Sequence, residues 1–423
     1  MTPRAYVLGD FHLGTGPKDP LEDFKDDGPF ARFCERIAGA DTTLILNGDV
    51  IDFVQIPPFE VPAAAHLLWT EEASRIKLAA ALAGHRGFFA GLAHLISRGT
   101  QIVYLLGNHD VDAVFPSIQA GLRAAIGAND AQLRFGLTEP YHGVHIEHGF
   151  QFTPENCPQD PTSFLHIGDD GKAYLERVWG TDFMLQFFNK LEADYPYADN
   201  VKPMLSLVWH GLKNGWIGGR EVVRMLVFLK RRGVPWSGIA SSTLADPGPL
   251  QPAAVATSFD DPQWQAMLAT RAKEPGFVAE MKAAAAELDR GELARVVHPS
   301  MVEIAAPALG KSAAPPTLGL FRGDREERAA HDRMSAAGVT GVVFGHTHDL
   351  VNGALDGCLY NHGTWLPTLD LKSPKVKAKI DAHGLTKDML ADASLYRVDR
   401  CGVRLDPDPP NRTRMQIITA EDP

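Results

Sequence analysis

Asp10, His12, Asp49, Asn108, His148, His346 and His348 are spaced along this chain as metal ligands are, each directly after a short apolar run. Tyr6-Val7-Leu8 precedes Gly9-Asp10-Phe11-His12, Thr43 to Leu46 precedes Asn47-Gly48-Asp49-Val50-Ile51-Asp52, and Gln101 to Leu106 precedes Gly107-Asn108-His109-Asp110. Val144 to Glu147 leads into His148-Gly149, and Gly341 to Phe344 into Gly345-His346-Thr347-His348. Imidazole nitrogens mixed with carboxylate and amide oxygens suit borderline divalent transition metals, whereas calcium prefers an all-oxygen shell. In an extended segment residues two apart face the same side, so Asp10 and His12 are expected to share one cation.

The elements that must position these residues are apolar strands alternating with helical patterns, over Phe30 to Ala38 and Glu71 to Ser97. That is an α/β organisation with polar residues on the loops at the carboxyl ends of strands. From Thr153 to about Pro316 the pattern turns helical: Tyr174 to Leu191, Met204 to Lys213, Glu221 to Arg232, Asp261 to Ala272 and Phe277 to Arg290, between Pro and Gly breakers. Stretches 238–256 and 305–316, rich in Ser, Pro, Gly and Ala, are hinge candidates. A helix at about Arg325 to Ala337 precedes the returning strands, with Cys358 to Asn361 and Leu395 to Val398 as the later ones. The expected organisation is a core split into 1–152 and 317–423 by a helical insertion, 153–316.

With 423 residues the chain is long for one domain, and Lys+Arg 41 against Asp+Glu 52 gives a net charge of -11. That balance argues against an extensive nucleic-acid surface. Cys34, Cys157, Cys358 and Cys401 form no Cys-x-x-Cys pair and predict neither a zinc knuckle nor a disulfide framework. The first apolar strand begins at about Ala5, which leaves no room for a secretory leader and predicts a cytoplasmic protein. No stretch reaches the ~20 apolar residues of a membrane span. The densest run, Val222 to Leu229, is too short and holds Arg224, so only peripheral contact with the inner membrane face stays open.

The succession Asp-x-His, Gly-Asp-x-x-Asp, Gly-Asn-His-Asp, His-Gly and Gly-His-Thr-His resembles the calcineurin-like metallophosphoesterase superfamily, over residues 4–155 and 338–405 and in that family's order. The resemblance implies a four-layer αββα sandwich of two mixed sheets flanked by helices, with the insertion as a cap. It implies two divalent cations, manganese first, with iron, zinc or cobalt as alternatives. Asp10, His12 and His348 would hold one, Asn108, His148 and His346 the other, and Asp49 would bridge them. A metal-activated hydroxide then attacks phosphorus in line. His109 would protonate the leaving oxygen or stabilise phosphoryl charge, with Asp110 orienting its imidazole and Asp52 as a further partner.

The same motifs with a helical insert are similar to UDP-2,3-diacylglucosamine hydrolases, which act on a lipid-linked pyrophosphate. This chain has a longer insertion, and His109 where many of those enzymes carry Arg. The apolar run with Leu226 and Phe228, beside Arg220, Arg224, Lys230, Arg231 and Arg232, reads either as a lipid-accepting lid or as ordinary packing with a solvated face. The expected substrate is a phosphorylated small molecule or a lipid-linked or nucleotide pyrophosphate. The alternatives are a soluble phosphomonoesterase, a nuclease or a non-catalytic scaffold of the same fold. His362 and Trp365, in Asn361-His362-Gly363-Thr364-Trp365, are expected in a loop near the mouth of the site, as support or as substrate contact.

Overall fold

Three parallel strands, β1 (Arg4–Leu8), β2 (Thr42–Asn47) and β3 (Gln101–Leu105), form the centre of the first sheet in this computed structural model. The described residues are 4–57, 69–153, 323–408 and 412–423, with 164–176, 178–185, 213–220, 273–286 and isolated positions in between. Between the strands run helices α1 (Asp27–Ile37), α2 (Glu71–Gly84) and α3 (Arg86–Ser97), and α4 (Pro116–Ile126) follows β3. The sheet continues through β4 (Leu133–Gly136) on one side. On the other side antiparallel pairing adds β14 (Cys401–Asp408) and β15 (Arg412–Thr419).

The second sheet has the order β11-β12-β10-β6-β5, from β5 (Thr138–Tyr141), β6 (Val144–Glu147), β10 (Gly341–Phe344), β11 (Leu350–Gly353) and β12 (Leu359–His362). Strands β6, β10 and β12 are parallel, while β5 and β11 run against them at the edges.

Side-chain alternation sets the layers. Val7, Ile45, Val103 and Val403 point into one apolar core with Ile146 and Val343 of the facing sheet. Tyr6, Leu44 and Ile102 point the other way, into the core under the four helices, with Phe33, Leu78, Leu95 and Ile118. On the outer face of the second sheet Val342, Phe344 and Leu359 pack on Ala329 and Ala330 of the helix Gly323–Met334. Strands reading as near-continuous apolar runs are therefore covered on both sides, in a helix-sheet-sheet-helix order, as the four-layer αββα expectation requires.

Several local expectations are corrected. The pattern from Glu71 to Ser97 is two helices broken at His85 (φ -117°, ψ 47°), whose ring is tied to Glu22 and Asp27. Tyr174 lies in a hairpin strand, β8 (Ala173–Leu175), paired with β7 (Leu165–Ile167), and the helix there begins only at Trp179. The turn at Gly168 to Gly171, with Asp170 accepting the Tyr174 hydroxyl (2.7 Å), outweighs the helical periodicity. In place of a strand at Leu395 to Val398 there is a short 3₁₀ turn, Ala393–Leu395, and β14 and β15 follow it.

The chain divides into two compact units: Met1–Tyr197 with Phe321–Pro367 and Arg397–Pro423, and Ala198–Leu320 with Thr368–Tyr396. Residues 153–197, assigned by sequence to the insertion, group with the first unit, and Thr368–Tyr396, assigned to the core, with the second. In the second unit β9 (Val201–Lys202) pairs with β13 (Leu369–Asp370), and the helix Pro275–Ala286 is formed where Phe277 to Arg290 was expected. Leu226, Phe228, Lys230, Arg231, Arg232 and the stretches 238–256 and 305–316 lie outside the described residues. No helix among the described residues is long and apolar enough to cross a membrane.

Candidate metal centre

Every expected Asp and His ligand belongs to a group of side chains whose donor atoms lie within 4.8 Å of one another. They come from the carboxyl ends of the parallel strands of both sheets: Asp10 and His12 after β1, Asp49 after β2, His148 after β6, His346 and His348 after β10. The parallel pairing continues into these loops. The Asp10 N–H donates to Gly48 O (3.0 Å), and those of Phe11 and His12 both donate to Asp49 O (2.9 Å).

Asp10 and His12 are not extended as the sequence predicts. Both are left-handed (φ 51° and 47°), as are Asp49, His346 and His348 (φ 49°, 68° and 56°). Such a backbone costs about 1–3 kcal/mol per residue and persists where surrounding contacts over-determine it. Here the cross-strand bonds do so and turn the side chains inward. Gly48 (φ +82°) lies against His148, where a Cβ would sit 2.4 Å from Nδ1. Gly107 is set by space: its Cβ would lie 2.1 Å from Asp49 Oδ1.

Two groups meet at Asp49. In the first, His348 Nε2 lies 3.3 Å and His12 Nε2 4.0 Å from Asp10 Oδ1, and the two imidazole nitrogens are 3.1 Å apart. In the second, His148 Nε2 is 3.2 Å from Asp49 Oδ2 and His346 completes the set. The same Asp49 Oδ2 is 3.5 Å from His12 Nε2, so one carboxylate oxygen faces both groups. The other oxygen accepts the His109 N–H (2.8 Å), which holds the Gly107-Asn108-His109 loop against Asp49.

Hydrogen-bond partners assign the tautomers. His148 Nδ1 donates to Asn47 O (2.8 Å), which turns Nε2 inward as a lone-pair donor. His12 Nδ1 donates to Asp52 Oδ2 (2.8 Å), with the same result. The Thr153 hydroxyl gives its proton to Phe150 O (2.7 Å) and accepts from His346 Nε2 (3.0 Å), leaving Nδ1 as the free donor atom. Asp10 Oδ1, Asn108 Oδ1 and His148 Nε2 are buried and make no hydrogen bond among the described residues. Unsatisfied polar atoms that converge in a buried site are costly unless an ion completes them, so the residues present fit a metal. These buried Asp and His groups can hold a metal ion.

Electrostatics are consistent with a cation-receptive cluster. Burial opposes ionisation of Asp49, but His148 and His109 outweigh it and hold the carboxyl well below its ordinary range. Asp10 is lowered in the same way, against burial, by His348 and His148. His148 is raised to about 9: burial opposes its charge, and Asp49 and Asp10 prevail. Burial and the charge of His148 lower His346 to about 3. A bound cation would take the place of the proton that Asp49 and Asp10 favour on His148.

Beside the cluster, Asp52 Oδ2 accepts from both His12 Nδ1 and His109 Nδ1 (2.8 Å each), and its Oδ1 accepts the N–H groups of Val54 and Gln55 (2.9 Å each). The orienting group of His109 is therefore Asp52. Asp110, expected in that role, instead accepts from Val50 N, Tyr104 Oη and Gly107 N and ties the loops together. Sequence adjacency to His109 misled, because the neighbouring side chain points into the sheet.

His362 belongs to the centre more closely than a loop at its mouth would. It ends β12, is fully buried, and places an unpartnered Nε2 3.7 Å from Asp10 Oδ2. Its position at the end of a parallel strand, the pattern shared by all the other motifs, is the signal that could have found it. Trp365 is structural: 1% exposed, its indole N–H donates to Cys401 O (2.9 Å), and Thr364 Oγ1 donates to Asp10 O (2.7 Å).

No model of a known protein family matches the chain, and no curated protein matches it.

Proposed function

We propose that the chain is a dinuclear metal-dependent phosphoester hydrolase of the calcineurin-like type. The observation that carries this reading is the single Asp49 oxygen facing two groups of donor atoms, 3.5 Å from His12 Nε2 and 3.2 Å from His148 Nε2. Asp10, His12 and His348 would hold one cation and Asn108, His148 and His346 the other, with Asp49 shared. Histidine-rich donors favour manganese, iron, zinc or cobalt. Paired divalent cations supply charge neutralisation at phosphoryl oxygens and lower the pKa of water.

The chain's own groups do the rest. Asp52, ionised and buried, fixes the His109 ring through Nδ1, so that Nε2 can give a proton to the departing alcohol oxygen. The test is to strip the protein of metal, restore Mn²⁺, and follow hydrolysis of 4-nitrophenyl phosphate and bis(4-nitrophenyl) phosphate. Metal-dependent turnover that Asp49→Asn abolishes is expected. Turnover of neither ester in fully loaded protein would contradict the proposal.

A further inference from the structure

Next to Asn108 a cleft opens within the first unit that the metal chemistry does not use. Trp69, Phe164, Leu175, Val178 and Leu185 form its apolar walls. Lys77, Asp112 and Glu176 bring charge into it. Lys77 is 5% exposed, and among the described residues its ammonium makes one hydrogen bond, to Phe53 O (2.6 Å), out of three that it can donate. Burial pushes its pKa below the ordinary lysine range, against the pull of Asp112 and Asp52. Asp112 Oδ1 accepts the Ser74 hydroxyl (2.5 Å).

A buried ammonium with spare donors, in a cleft contiguous with a candidate metal ligand, is costly unless something accepts from it. The carboxylates of Asp112 and Glu176 disfavour a second anionic group. We propose that this cleft is the substrate's alcohol subsite, taking a neutral, apolar, flat or short substituent whose acceptor oxygen reaches Lys77. The inference rests on the phosphoesterase reading and narrows it to esters of neutral apolar alcohols.

The test uses the full chain loaded with Mn²⁺ and two diesters with the same leaving group, bis(4-nitrophenyl) phosphate and methyl 4-nitrophenyl phosphate. In Leu185→Trp, which fills the cleft, kcat/KM for the bis-aryl ester should fall ~10-fold relative to the methyl ester, the range expected when one ring loses its apolar pocket. Lys77→Met should lower the same ratio ~10-fold or more, as loss of one hydrogen bond to a charged donor predicts, with metal content unchanged. Parallel loss on both esters, or no change on either, would overturn the subsite. Calorimetric binding of phenylphosphonate against methylphosphonate separates the two proposals. If the wild type hydrolyses neither diester yet prefers phenylphosphonate, and Leu185→Trp erases that preference, the catalytic reading fails and the subsite stands. Absence of the preference in the wild type overturns the subsite.

Discussion

Replacing Asp49 by Asn keeps the side chain's shape and removes the charge that faces both donor groups. Asp49→Asn should lose bound metal and nearly all turnover, measured as metal per chain and kcat on bis(4-nitrophenyl) phosphate. His109→Ala differs in kind, because His109 holds no place in either triple: metal should stay and kcat fall ~10²–10⁴-fold. Asp52→Asn combines the two effects, since one oxygen orients both His12 and His109. It should weaken metal affinity ~10–100-fold, as loss of an orienting partner does, and also lower kcat at saturating metal. Asp52→Asn with wild-type affinity and rate would remove the orienting role. The positions of the candidate ligands were legible because each follows an apolar strand within four residues. The exchange of roles between Asp52 and Asp110 was not, because side-chain direction in the irregular backbone after a strand does not follow from spacing.

At the scale of elements, the break between α2 and α3 shows how a polar cluster overrides periodicity. His85 Nε2 and Nδ1 donate to Glu22 (2.9 Å) and Asp27 (3.0 Å), so the ring clamps the loop after β1 to the helix junction. Burial opposes its charge, but the hydrogen bonds to Asp27 and Glu22 raise its pKa to about 9. A folded value above the unfolded one, about 6.5, means the stabilisation is fully present below ~6.5 and is lost as pH rises through 9. His85→Ala should cost ~3–5 kcal/mol near pH 6, because Glu22 is left buried without its counter-charge. The difference in Tm from wild type should shrink towards pH 10, and a difference independent of pH would contradict the charged clamp. Strands β1, β2, β3, β6 and β10 were readable from apolar runs. Helix α4 was passed over although Pro116 opens it and Gly127 (φ +70°) closes it. Strand β14 was hidden by Asp406-Pro407-Asp408, which reads as a turn.

At the scale of the whole molecule, the two core parts are joined by ladders rather than by sequence: β10 pairs with β6 across the insertion, and β14 with β1. The layered core was legible from strand and helix periods. The unit boundaries were not, since Thr368–Tyr396 joins the second unit by pairing that no local pattern announces. A centre built from strands of both sheets couples metal binding to the stability of the first unit. Chelation should therefore lower Tm, and Mn²⁺ should restore it better than Ca²⁺ by the linkage of binding to folding. Titration of metal-stripped protein with Mn²⁺, counting bound ions and following diester hydrolysis in the same samples, decides whether the chain works through a paired metal centre. Saturation is expected at two ions per chain, with turnover rising as they bind, and Asp49→Asn should fail in both. Full turnover in the presence of excess chelator, or turnover with no bound Mn²⁺, would contradict the paired centre.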